Sequence, residues 1–193
     1  LGDDFSSNEI TVLAQALGLG SGVYSLLDEV AKGSGRISEI VKAVKSYSYL
    51  DRAPVQEVDV HEGLDNTLII LRHKLKTKIS VIRSYAPNLP KIEAFAGELN
   101  QVWTNIIDNA LDALGPQSGA ELRITTTLQG DAVVVELADN GPGIPAEIQS
   151  RVFEPFFTTK APGVGTGLGL NIAYNIVHKH YGEIRLTSRP GFT

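Results

Sequence analysis

The sequence predicts an α+β domain in which helices cover one face of a mixed sheet. Two observations carry that reading. The stretch Gly97–Leu114 repeats apolar residues with helical spacing, while Glu121–Leu128 and Ala132–Ala138 alternate as β-strands around a Gln129-Gly130-Asp131 turn. The order is a helix, then mixed helical and extended segments with strands in adjacent hairpins, which is the α+β pattern.

At 193 residues the chain has room for one large domain, or one domain with an appendage. A net charge of −5 argues against a nucleic-acid binder, which would show a basic stripe. The absence of cysteine excludes disulfides, thiolate metal sites and cysteine nucleophiles, and fits a reducing, cytoplasmic setting. No apolar run is long enough to span a membrane, and no signal peptide is visible, so any membrane attachment belongs to a longer protein. The lack of any methionine suggests a piece of such a protein.

Residues 1–53 read as a helical segment. Short patterns at Ile10–Leu17 and Val23–Ala31 lie between Gly and Ser punctuation. From Arg36, the residues Ile37, Ile40, Val41, Val44 and Tyr47 form a narrow apolar seam to about Leu50. That seam suits pairing with another helix, in the same chain or across a dimer, and equally an ordinary amphipathic helix. Pro54 ends it.

The second unit, 54–193, begins with a short strand at Gln56–Val60. Asp59 or His61 then opens a helix over Gly63–Lys76 that turns Leu64, Leu68, Leu71 and Leu75 inward. Ile79–Ser84 reads as a strand and Ile92–Ala96 as an extended approach to the helix Gly97–Leu114. In that helix Leu99, Val102, Trp103, Ile106, Ile107, Ala110, Leu111 and Leu114 make one wide buried face. The other face carries Glu98, Gln101, Asn105, Asn109 and Asp112, with the two asparagines one turn apart. Asn is a poor helix former, so an aligned pair in mid-helix calls either for simple exposure or for a ligand. Gly115-Pro116 terminates the helix.

After the hairpin, Asp139 stands at a strand end before Asn140-Gly141-Pro142-Gly143. This is either a hairpin tip or a carboxylate placed to accept a ligand N–H. Pro145 marks the first turn of a short helix to about Val152. Phe153–Lys160 is aromatic and irregular, and Ala161–Gly169 is a glycine loop. Leu170–His180 is a helix closed by Gly182, and Glu183–Ser188 is a final strand. The glycine loop runs into a helix N-terminus, where free N–H groups and the dipole favour an anion. It matches neither a P-loop nor a Rossmann fingerprint, and a plain flexible loop is the alternative. Lys160 is a point charge suited to phosphate, or a surface lysine. His61, despite the HEGLDN context, reads as a helix-start residue, and His178 and His180 as companions of a helix C-terminus.

Taken in order, ELNQVWTNIIDNALDAL, DNGPGI, FEPFFTTK and GVGTGLGL resemble the N box, first glycine box, F box and second glycine box of the sensor histidine kinases. Those enzymes belong to an ATPase superfamily shared with gyrase and heat-shock chaperones. The resemblance covers about Pro54 to the end and implies the Bergerat fold, a two-layer sandwich with a largely antiparallel mixed sheet. It also implies ATP with Mg²⁺ as cofactor, Asn109 as metal ligand and Asn105 beside the phosphates. Asp139 would bind the adenine amino group, with Gly141 and Gly143 giving the base room. Phe153 and Phe156 would anchor a mobile lid, Lys160 would contact phosphate, and Gly165, Gly167 and Gly169 would cradle it. Ile144, Thr166 and Leu168 complete the implied nucleotide-lining set.

Gyrase-like relatives carry a Glu where Asn105 stands, so the resemblance favours phosphotransfer over hydrolysis. Arg36–Leu50 resembles the second helix of the dimerisation and phosphotransfer hairpin, implying a homodimer. The implied partners are a phosphoacceptor His segment and a response regulator. Residues 1–35 contain no His, and the family's closing strand is expected beyond Thr193, so this chain alone is not expected to autophosphorylate. An ATPase clamp of the gyrase type and a non-catalytic nucleotide-binding scaffold are the alternatives.

Overall fold

The computed structural model describes residues 26, 27, 30, 55–75, 79–116, 118–161 and 165–193. The chain divides into two compact units, Leu1–Lys42 and Ala43–Thr193. In the first, Leu26, Leu27 and Val30 are helical. The expected helices Ile10–Leu17 and Arg36–Leu50 lie outside the described residues, as does Gly163.

The second unit runs β1 (Gln56–Val58), α1 (Val60–Ile70), β2 (Ile79–Ser84), β3 (Ile92–Ala94), α2 (Ala96–Leu114), β4 (Ala120–Gln129), β5 (Ala132–Asp139), α3 (Ala146–Gln149) and α4 (Gly169–Lys179). It is α+β with a mixed sheet, as expected. β4 is the middle strand of three, parallel to β2 and antiparallel to β5, while β1 and β3 form a separate antiparallel pair. Along β4, Ala120, Leu122, Ile124 and Thr126 are buried at every second position, so one face of the sheet meets the helices. Leu64 and Leu68 of α1, Val102, Ile107, Leu111 and Leu114 of α2, and Ala173 and Ile176 of α4 fill that layer.

Local chemistry accounts for the boundaries. α1 starts at Val60, earlier than the apolar spacing suggested. The Asp59 carboxylate accepts from the His61 and Glu62 backbone N–H groups at 2.9 and 3.3 Å. Gly115, at φ 52°, ends α2 and donates to the Leu111 carbonyl. Gly182 closes α4 by donating to Val177, but the left-handed turn falls on Tyr181, at φ 58°. Pro145 is the residue before α3, with extended ψ, and α3 stops at Gln149 in successive turns.

The expected final strand Glu183–Ser188 is not one. Its side chains do alternate, with Ile184, Leu186 and Ser188 half-buried, but its backbone joins no ladder among the described residues. A period of two reports a half-buried extended chain. A strand also needs a backbone partner alongside. The edge of β5 is met instead by Thr193, whose N–H and C=O exchange hydrogen bonds with Asp139 at 3.0 and 2.8 Å.

His61 does more than begin a helix. Its ring stacks on Tyr85 at 4.3 Å, and Nε2 lies 2.8 Å from Thr126 Oγ1, joining α1 to β4. His180 likewise joins two helices. Its Nε2 accepts the N–H of Phe95, the residue before α2, at 3.0 Å, and its Nδ1 donates to the Ile176 carbonyl at 2.8 Å. Those two partners set the tautomer, a role hidden from a sequence in which Phe95 and His180 are far apart.

Candidate nucleotide site

The polar face of α2 is the floor of the site. Asn105 and Asn109 point away from the buried stripe and are half-buried by what lies over them. A Cβ on Gly169, the first residue of α4, would lie 3.5 Å from the Asn105 amide carbon and oxygen. The start of α4 therefore sits against Asn105, and no side chain among the described residues caps it. Among the described residues no side chain takes its first N–H groups, the arrangement that favours an anion. Asn105 Nδ2 is itself buried with no hydrogen-bond partner among the described residues, a cost that a ligand acceptor would remove.

One turn along, Asn109 Oδ1 accepts from Lys160 Nζ at 3.2 Å. The same ammonium pairs with Asp112 Oδ2 at 2.5 Å, each side chain about one-third exposed. Asp112 Oδ1 is held by Lys74 at 3.0 Å, and Lys74 also pairs with Asp108 at 2.6 Å. Burial works against the Asp112 carboxylate, yet Lys160 and Lys74 together hold it below its usual range. The Asp108 partner raises Lys74 above its own.

Asp139 closes the floor at the end of β5. It is 8% exposed, and burial pushes its carboxyl upward, opposed by the Gly141 N–H that its Oδ1 accepts at 2.9 Å. The Asn-Gly pair is not a hairpin tip. Asn140 bonds back to the start of β4, through Gly119 and Glu121, and the chain continues to α3. A Cβ at Gly141 would meet Asp139 Oδ1 at 2.7 Å and Ala113 of α2 at 3.5 Å. The loop thus packs its carboxylate against the helix that carries the asparagines. Gly143, at φ 79°, would drive a Cβ to 2.3 Å from the Arg189 carbonyl oxygen. Glycine is required there by the protein's own backbone. Ile144 donates its N–H to Ser188 Oγ at 2.7 Å, and Gln149 bridges the carbonyls of both residues.

The aromatic segment forms the far wall. Phe153 packs on Tyr174 of α4, and its carbonyl accepts from Asn171 at 2.9 Å. Phe156 differs from expectation. Its ring is 73% exposed, so among the described residues its side chain is little buried. The close contact is made by its backbone, which adopts φ 65° and presses against Gly167, where a Cβ would stand 2.4 Å from the Phe156 carbonyl carbon. A Cβ at Gly165 would meet Thr158 and Lys160, and Thr166 Oγ1 accepts from the Leu168 N–H at 3.3 Å. Asn105, Asn109, Asp139, Lys160 and the 165–169 loop are thus linked around α2. Asp112, Lys74 and Asn171 were missed as contributors. Asp112 did stand on the polar face one turn beyond Asn109, but only the fold shows what it holds.

Among the described residues no group of three or more His, Asp or Glu could hold a metal by itself. Asn109 Oδ1 is one hard oxygen already facing a cationic ammonium, which fits Mg²⁺ arriving with its phosphates and waters as further ligands.

The comparisons with known proteins bear on the fold and the family. Residues 96–193 match the family described as histidine kinase-, DNA gyrase B-, and HSP90-like ATPase. The sensory histidine kinase/phosphatase NtrB of Salmonella typhimurium is 38% identical over 143 residues, 69% of this chain and 40% of that protein. The signal transduction histidine-protein kinase AtoS of Escherichia coli is 32% identical over 168 residues, 86% of this chain and 27% of that protein. The chain therefore spans less than half the length of these relatives. Among solved structures, the catalytic domain of histidine kinase ThkA superposes with a TM-score of 0.59 at 29% identity, covering 66% of this chain and 82% of that one. No helix among the described residues is long and apolar enough to cross a membrane. With its fold, its asparagine-bearing helix and its family match in agreement, the chain belongs to the histidine kinase-, DNA gyrase B- and HSP90-like ATPases, on the sensor histidine kinase side of that family.

Proposed function

We propose that this chain is the ATP-binding catalytic part of a two-component sensor histidine kinase. It would bind Mg·ATP and pass the γ-phosphoryl group to a histidine on a neighbouring segment or partner chain, for relay to a response regulator aspartate. The observation that carries the reading is the convergence on one face of α2 of the uncapped α4 N-terminus at Asn105 and the Lys160 ammonium at Asn109 Oδ1. Phosphoryl transfer needs mostly positioning and positive electrostatics, and these groups supply both. Asn109 would hold Mg²⁺, which neutralises charge on the phosphates when bound. Asp139, at the other end of the floor, would accept the adenine amino N–H.

In the transfer itself the bond from the γ-phosphorus to the bridging oxygen breaks, ADP leaves, and an imidazole nitrogen takes the phosphoryl group. Asn105 is an amide and cannot act as a base towards water, which supports transfer over hydrolysis. The acceptor in this reading is not His61, whose ring stacks on Tyr85 and whose Nε2 is taken up by Thr126 Oγ1. That ThkA has been solved with a response regulator supports a similar partner here. A homodimer through residues 36–51 belongs to the same proposal.

Thermal denaturation with Mg·ATP tests the nucleotide reading. Ligand at a hundredfold over Kd should add about 2.7 kcal/mol of stability. Asn109→Ala and Asp139→Ala should each remove most of that shift, and no shift in the wild type would refute the assignment. Labelled ATP supplied to the longer native chain should then give phosphohistidine outside residues 54–193. Label on His61 would overturn the reading.

A further inference from the structure

Four charges beside Asn109 pair with one another. Lys74 and Lys160 face Asp108 and Asp112, and Asp112 gives one carboxylate oxygen to each lysine. The set is neutral as it stands. Lys160 comes from the aromatic segment and Lys74 from the turn after α1, so Asp112 is where two separate parts of the chain are tied to α2. The Lys160 ammonium also covers Asn109 Oδ1, the oxygen assigned above to Mg²⁺.

If Lys160 turns to a nucleotide phosphate, two carboxylates and one lysine remain, a net −1 beside an incoming polyanion. Metal-free ATP meets that repulsion directly, whereas ATP that brings a divalent cation offsets it at the same oxygen. Resting on the nucleotide reading above, we propose that Asp112 is a positioning and specificity residue. It parks Lys160 on Asn109 Oδ1 in the nucleotide-free chain and makes the site discriminate metal-bound from metal-free nucleotide. Lys160 leaves Asn109 as the nucleotide enters, and Asp112 stays with Lys74.

Asp108 supplies the control. Asp108→Asn changes the net charge as Asp112→Asn does, one turn away, but among the described residues Asp108 pairs with Lys74 while Lys160 pairs with Asp112. Both sites are about one-third exposed, so either variant should fold. Two readouts apply to wild type and both variants. The first is the rate of reductive methylation of Lys160 without nucleotide, followed by peptide mass spectrometry. The second is the Kd for ATP in EDTA and in excess Mg²⁺, by calorimetry.

Asp112→Asn should speed Lys160 methylation by about three- to fivefold, the range expected when a partly exposed pair is lost, and tighten metal-free ATP by a similar factor. Its Kd for Mg·ATP should change less than about twofold on the same reasoning. Asp108→Asn should leave Lys160 methylation at the wild-type rate and give less relief of metal-free binding. Equal behaviour of the two variants in either readout overturns the proposal while leaving the nucleotide site intact. A wild type that binds neither form of ATP overturns the nucleotide reading and this proposal with it. The two failures are distinct because in the first the wild type still binds.

Discussion

Gly143→Ala isolates the close approach that holds the Asp139 loop in place. Gly143 has φ 79°, and an added Cβ would stand 2.3 Å from the Arg189 carbonyl oxygen, 2.7 Å from its carbon and 3.1 Å from Pro190 N. All three are backbone atoms, and Arg189 is itself tied down by two hydrogen bonds with Phe192, at 2.8 and 2.9 Å. No side chain can swing away to make room. The left-handed conformation costs an alanine roughly 1–2 kcal/mol, and forcing backbone apart adds roughly 1–3 kcal/mol. Restriction of the unfolded chain returns roughly 0.4–1 kcal/mol. Gly130→Ala is the matched comparison, at φ 63° with nothing within 4 Å of its Cβ. It carries the first and last of these effects without the collision. Gly143→Ala should therefore be less stable than Gly130→Ala by about 1–3 kcal/mol. For a unit of this size that is a difference in Tm of about 2–12 °C. Scanning calorimetry on both variants measures it. Because Ile144 is bonded to Ser188 beside Arg189, the displaced loop should also weaken ATP binding. Equal Tm losses in the two variants would refute the collision and the reasoning built on it.

Asp139→Asn should separate binding from stability. Burial raises the Asp139 pKa in the folded chain, so its stabilising contribution is full below the unfolded value of about 3.9 and is lost as pH rises through the folded value. Asn keeps an oxygen for the Gly141 N–H without the buried charge. The variant should melt at or above the wild type at pH 7, lose that advantage as the pH falls to about 4, and show no ATP-induced shift. A variant less stable than wild type at pH 7 would contradict the burial cost. His180→Ala should destabilise by about 1–3 kcal/mol in urea titrations, because the Phe95 N–H at the start of α2 loses its acceptor. An unchanged midpoint would show that water replaces the imidazole. Steady phosphate release from ATP by this chain should stay at background, since Asn105 cannot activate water. Brisk turnover would favour the gyrase-type clamp.

The helices and the hairpin were legible because their signals are local. Apolar spacing along α2 reports its buried face, Asp59 is its own helix start, and Gly130 sits where a two-residue turn must be. The polar-face asparagines stood out for a related reason, since Asn has little cause to occupy mid-helix. Glu183–Ser188 shows the limit of that logic: alternation gives the faces of an extended chain, while a ladder depends on a neighbour that local spacing cannot supply. The same limit hid the pairing of Phe95 with His180, and of Phe156 backbone with Gly167. Only the tertiary structure laid Lys160 on Asn109 and split the Asp112 carboxylate between two lysines from opposite ends of the domain. Periodicity is a property of one segment, whereas hydrogen bonds and ion pairs act over a few ångströms between segments that only the packed core brings together.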